Sequence, residues 1–152
     1  MKAYRLAREP YANSLSGRGA AIRGARWNSV GVEMVYTASN KSLAMAEVVV
    51  HLSAATVPDD YMMVTLEIPD YLEIKEVVPS ALPKDWNVFP YSTVTQYLGD
   101  DFIHDNKVPV LRMPSAVVQG EFNLLLNPYH PDFKKIKIEA IEKFSFDSRL
   151  FR

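Results

Sequence analysis

The chain has 152 residues, of which 48% are apolar and 23% charged, with a formal net charge of −1; this is the composition of one globular domain large enough to bury a core. There is no cysteine, which excludes disulfides, thiol catalysis and cysteine-bound zinc, and a charge near zero advertises neither nucleic acid nor an anionic membrane. The total conceals an asymmetry, because residues 1–28 hold Lys2, Arg5, Arg8, Arg18, Arg23 and Arg26 against Glu9 alone. A solvated basic face is the commoner origin of such a bias, whereas five arginines to one lysine suit bidentate contacts with oxyanions.

Tyr4 to Ala7 reads as a first strand, and Asn13 to Gly24, with its serines, glycines and arginines, reads as a loop. A turn near Gly31 precedes a strand from Met34 to Ala38. Ser39 or Asn40 can then cap a helix running to about Ala54. After Pro58-Asp59-Asp60, strands are expected over Tyr61–Ile68 and Leu72–Val78, followed by a surface connection marked by Pro79, Pro83 and Pro90. Tyr91, Val94, Tyr97, Leu98 and Phe102 fall at helical spacing and predict a second helix with this stripe in the core. Three short strand-like pieces follow, Val108–Arg112, Ser115–Val118 and Phe122–Leu126, and a last strand covers Ile136 to Phe144. The sum is an α+β domain spanning residues 1–152, with mixed or antiparallel short strands and about two main helices. Met1 to Arg5 lacks the apolar stretch of a signal peptide and no run reaches membrane-spanning length, so a cytoplasmic protein without a membrane partner is expected.

Most common motifs fail. Gly17-Arg18-Gly19 opens like a dinucleotide fingerprint, but Ile22 stands at the third glycine position. His51, His104 and His130 are too scattered for a zinc site, and Ser115 lacks a Gly-x-Ser-x-Gly elbow. Glu47 stands out instead. It interrupts the apolar run Leu43 to Leu52, where helical spacing puts it on one face with Leu43, Val50 and Ala54. A carboxylate in an apolar wall is either a buried ion-pair partner or a catalytic group, and by itself it favours the first.

Its company changes the balance. Arg5, Arg26, Tyr36, Glu47 and Ser115 occur in the settings Tyr4-Arg5-Leu6, Gly24-Ala25-Arg26-Trp27-Asn28, Val35-Tyr36-Thr37, Ala46-Glu47-Val48 and Pro114-Ser115-Ala116, with Glu121-Phe122-Asn123 and Leu126-Asn127-Pro128 downstream. Over nearly the whole chain this order resembles the RES-domain family, named for its Arg, Glu and Ser residues. The resemblance implies an ADP-ribosyltransferase-like fold, a toxin that consumes NAD⁺, and an Xre-type antitoxin as partner. It implies no resident cofactor: NAD⁺ is the substrate, with inorganic phosphate as a co-substrate if phosphorolysis is the reaction. Nucleic acid is expected only through the antitoxin. A homodimer within the toxin–antitoxin complex is compatible with the resemblance, although no residue pattern marks its surface.

Under that resemblance Glu47 stabilises the ribosyl transition state, Arg5 and Arg26 bind pyrophosphate or ribose oxygens, and Tyr36 packs against nicotinamide or ribose. Ser115 either donates to the ligand or helps place the nucleophile. A core tyrosine and a turn serine are the structural rivals for the last two. The acceptor stays open between water, phosphate and a macromolecule. No glutamate pair at transferase spacing is evident, which ranks transfer to protein below hydrolysis and phosphorolysis. A non-catalytic nucleotide or nucleic-acid binder is the alternative from another class. Arg18, Arg23 and Arg26 are expected to line the entrance that an antitoxin carboxylate blocks.

Overall fold

Leu124, Leu125 and Leu126 expose none of their surface, which requires the strand carrying them to be covered on both faces. In the computed structural model, which describes residues 1–151, the elements are β1 (Lys2–Arg8), α1 (Arg18–Arg23), β2 (Val35–Ala38), α2 (Lys41–Val49), β3 (Tyr61–Glu67), β4 (Ile74–Glu76), α3 (Thr93–Asp105), β5 (Val110–Pro114), β6 (Phe122–Leu126) and β7 (Lys137–Lys143). The strands form one sheet in the order β4-β5-β6-β2-β1-β3-β7. Only the β4–β5 pair is parallel.

Alternation along the strands sorts the core. One face collects Ala3, Ala7, Val35, Val64, Leu66, Val110, Leu124 and Leu126, covered by Ala12, Leu72 and Ile136 from the connections. The other face is covered by the two longer helices. Leu43 and Ala44 of α2 pack on Leu6, Ala38 and Met63, while Phe102 and Ile103 of α3 pack with Trp27 on Leu111, Met113 and Leu125. Burying Leu6 and Met63 under α2, and Leu111, Met113 and Leu125 under α3, contributes several kcal/mol, which lets helices of modest intrinsic propensity persist. Pairing between β1 and β2 is confined to Tyr4 and Ala38, so the two strands part beyond it.

Several expectations are corrected. The segment read as an open loop from Asn13 to Gly24 contains α1. Tertiary contacts hold it: Asn28 Nδ2 donates to Ala20 O at 2.9 Å and Gly31 N to Ala21 O at 2.8 Å. A Cβ on Gly17 would stand 2.5 Å from Met34 N, and Gly24 ends the helix at φ +69, a conformation that favours glycine. Residues 115–118 form a turn after Pro114 rather than a strand. The stripe predicted as core on the second helix is mostly outside: Val94, Tyr97 and Leu98 are 50%, 60% and 38% exposed, and the buried face carries Thr95, Gly99, Asp100, Phe102 and Ile103.

Helix α2 stops at Val49, short of Ala54, where a separate 3-10 turn covers Ala54–Thr56. It begins as expected. Asn40 Oδ1 accepts from Leu43 N at 2.8 Å, while Asn40 Nδ2 donates to Glu121 Oε2 at 2.8 Å. Asn40→Ala is expected to cost about 1 kcal/mol, lowering the thermal midpoint by about 2–4 °C; a midpoint unchanged in calorimetry would show that the cap contributes nothing.

Candidate active site

Glu47 lies in the last turns of α2, half-buried. Its Oε1 accepts a hydrogen bond from Ser115 Oγ at 2.8 Å. Ser115 is 5% exposed, and its place is set by local chemistry. Pro114 ends β5, Ser115 N donates to Glu121 O at 2.8 Å, and the hydroxyl accepts from Val117 N and Val118 N, each at 3.0 Å. This is a serine-initiated turn. With two amides donating to the oxygen and its own proton given to Glu47, the hydroxyl's capacity is filled. Ser115 therefore orients one carboxylate oxygen and leaves the other for a ligand.

Arg26 enters from a short loop. Ala25 N donates to Asn28 O at 2.9 Å, closing a four-residue bridge whose central positions are Arg26 and Trp27. One guanidinium nitrogen, Nη1, donates to Trp86 O at 2.7 Å and to Val88 O at 2.8 Å. The guanidinium also lies 5.8 Å from the Tyr91 ring centroid. Burial lowers the Arg26 pKa, and the charge of Glu47 offsets part of that. The two are near enough to feel one another, yet no ion pair joins them among the described residues. Nε and Nη2 are left to meet an anion.

Tyr36 stands on β2, on the helix-covered face. Its hydroxyl donates to Asn28 Oδ1 at 2.7 Å and accepts from Trp27 N at 3.2 Å. Burial pushes the phenol far above its ordinary pKa, so it stays a neutral donor. Asn28, fully buried, spends its amide on Ala20 O, Ser29 O and Val32 O. Tyr36 thus anchors the Arg26 loop from beneath, and its ring packs against the core cluster of Trp27, Phe102 and Leu125.

Arg5 stands apart. Its register partner on β3 is Val64, which puts it on the face opposite Glu47. It is half-buried, burial lowers its pKa, and its hydrogen bond is a long one to Ser14 O at 3.5 Å. No carboxylate pairs with it among the described residues. Four of the five sequence candidates, Arg26, Tyr36, Glu47 and Ser115, therefore gather on one face, and Arg5 flanks the parting of β1 and β2 from the other. Arg18 and Arg23 are exposed on α1.

Sequence reasoning missed the supporting cast. Trp86 and Val88 supply carbonyls, which no side-chain motif advertises. Tyr91 reads as a core residue and instead lies beside Arg26. Gln96 and Asp100 of α3 contact the Arg26 loop from about 70 residues away in sequence.

Comparison with known proteins identifies relatives of the whole chain. A family model described as the RES domain matches residues 2–147. The chain is 42% identical over 148 residues to the Prs ADP-ribosylating toxin of Sphingobium sp. (strain YBL2), covering 96% of this chain and 92% of that protein. It is 37% identical over 153 residues to a protein named Toxin Res from Photorhabdus laumondii subsp. laumondii, covering 98% and 96%. Among solved structures, a chain of the M. tuberculosis MbcT–MbcA toxin–antitoxin complex superposes with a TM-score of 0.77 over 99% of this chain and 86% of that one, at 21% identity. The α+β fold is therefore shared with that chain.

Proposed function

The chain belongs to the RES domain family, and on that premise we propose that it is a toxin that breaks the bond between nicotinamide and ribose in NAD⁺. The observation that carries the reading is the fixed carboxylate of Glu47, oriented by Ser115 and felt by Arg26. In the reaction the C1′–N1 bond breaks and its electron pair passes to nicotinamide, whose ring nitrogen becomes neutral. The ribosyl carbon gains cationic character. Glu47 opposes that charge and accepts a hydrogen bond from the 2′-hydroxyl. An acceptor oxygen then bonds C1′ and releases its proton.

Arg26 has Nε and Nη2 to offer the pyrophosphate or a ribose oxygen. Arg5, a half-buried guanidinium short of acceptors, suits a ligand lying where β1 and β2 part, which Arg5 and Tyr36 flank on the two sides. The Tyr36 ring provides an edge or face for the nicotinamide or ribose. NAD⁺ is a substrate here, with no resident cofactor, and the reaction belongs in the cytoplasm. No helix of the described residues is long and apolar enough to cross a membrane.

Water or phosphate is the favoured acceptor because the sequence shows no evident glutamate pair at transferase spacing. A second reading, transfer to a macromolecule, draws its support from the relative named for ADP-ribosylating Prs. Incubating purified protein with NAD⁺, with and without phosphate and with and without added Prs, separates the three by mass. Nicotinamide with ADP-ribose means hydrolysis, phosphorylated ADP-ribose means phosphorolysis, and a mass increase on Prs means transfer. NAD⁺ left intact in every arm would remove the reading.

The partner that fits is an Xre-type antitoxin, with a homodimer inside the complex part of the same proposal. The exposed Arg18 and Arg23, on the helix that follows the Arg5–Ser14 contact, offer cationic anchors for an antitoxin carboxylate. Arg23→Glu is expected to weaken antitoxin protection in a growth assay while NAD⁺ cleavage by the free toxin persists; full protection would exclude Arg23 from the interface.

A further inference from the structure

We propose that Gln96 and Asp100 on α3 are positioning residues that hold the Arg26 loop in its binding geometry. The inference rests on the NAD⁺ reading for what Arg26 binds, but its structural content is independent of it. Gln96 Nε2 donates to both ends of the loop, to Ala25 O at 3.1 Å and Asn28 O at 3.2 Å. A single amide therefore ties the neck from which Arg26 and Trp27 project. One turn further on, the Asp100 carboxylate takes Ser29 N at 2.9 Å on one oxygen and Ser29 Oγ at 2.5 Å on the other. Between them the backbone of Gly99 rests on the loop, so close that a Cβ there would stand 1.6 Å from Trp27 O.

These three residues, at positions i, i+3 and i+4, make one helix face, and that face grips main chain. Gln96 and Asp100 donate to or accept from backbone and Ser29 only, so any effect they have on substrate travels through the loop. The loop's remaining supports are of other kinds. Tyr36 and Asn28 hold it from the sheet, and the carbonyls of Trp86 and Val88 hold the guanidinium itself. Without the Gln96 amide, Ala25 O loses its donor and Asn28 O keeps only Ala25 N, so the neck is free to open, which moves the guanidinium off the anion's position. A buried carboxylate at Asp100 is costly without its partners, and the two Ser29 bonds supply them.

A readout independent of activity exists. Trp27 and Trp86 are the chain's two tryptophans, and they stack with ring centroids 6.1 Å apart and planes 27° from parallel. Their coupled near-ultraviolet circular dichroism reports whether the loop stays seated. Gln96→Glu keeps length and helix propensity but sets a second acceptor against two carbonyls. It is expected to raise KM for NAD⁺ about tenfold or more, with kcat within about twofold of wild type, and to diminish the tryptophan couplet with the far-ultraviolet spectrum unchanged. Asp100→Ala is expected to do the same, whereas Asp100→Asn, whose amide can still accept from Ser29 N and donate to Ser29 Oγ, restores wild-type behaviour. If Gln96→Glu fails to fold, the Asp100 pair carries the same comparison. An unchanged KM, or a fall in kcat alone, overturns the assignment. Should wild type leave NAD⁺ intact, the NAD⁺ reading falls separately, and the couplet decides: its loss in the variants supports the clamp and its retention overturns it.

Discussion

If the proposed NAD⁺ cleavage is the reaction, Glu47→Gln is expected to lower the rate of nicotinamide release by about a hundredfold to a thousandfold, with the fold and most of the affinity for NAD⁺ retained. The amide matches the carboxylate in shape, and its oxygen can still accept from Ser115 Oγ, so the side chain keeps its place. What disappears is the charge, and the charge matters only once the ribosyl carbon becomes cationic. The loss therefore falls on kcat and kcat/KM together, with thermal melting unchanged. Ser115→Ala works through the same carboxylate: it frees Glu47 to rotate and strands two amides, Val117 N and Val118 N. We expect a fall of about tenfold in the native background and almost none on top of Glu47→Gln, because residues acting as a unit are not additive. Equal losses in both backgrounds would mean that Ser115 touches the ligand by itself.

The difference between what was legible in the sequence and what was not has a physical pattern. Alternation and the β-branched Val64 and Thr65 reveal β3, and Asn40 before an apolar run reveals the start of α2, because these signals are local. Helix α1 is hidden because its composition, Arg-Gly-Ala-Ala-Ile-Arg, has no apolar stripe; contacts from Asn28 and Gly31 hold it. The face of α3 is misread for a related reason. Helical spacing marks Val94, Tyr97 and Leu98 as a stripe, but the face that packs is the one with Gly99, where a missing side chain lets two backbones meet. In the site, the family resemblance singles out Arg26, Tyr36, Glu47 and Ser115, which the structure gathers on one face. The groups that hold them are backbone carbonyls and residues 60 to 71 positions away, as Trp86 is from Arg26 and Ser29 from Asp100. Arg5 shows the same limit: its identity is legible, while its side of the sheet follows from a register set by β3.

Gly99→Ala is expected to destabilise the protein by about 2–3 kcal/mol, although the same exchange in an open helix interior would stabilise it by about 1 kcal/mol. The sign is decided by Trp27. An added Cβ would lie 1.6 Å from Trp27 O and 2.6 Å from its carbonyl carbon, and both are backbone atoms that no rotamer change can move. Either α3 withdraws, opening the Phe102 and Ile103 contacts with Leu111, Met113 and Leu125, or the loop carrying Arg26 shifts. The thermal midpoint should fall by about 5–10 °C, and the Trp27–Trp86 stacking signal should weaken with it. Gly19 provides the contrast. It lies in α1 with nothing within 4 Å of a built Cβ, so Gly19→Ala has only the conformational gain and should hold or slightly raise the midpoint. If both variants melt like wild type, α3 does not press on the loop, and the close approach that seats Arg26 must be supplied by Tyr36 and Asn28 alone.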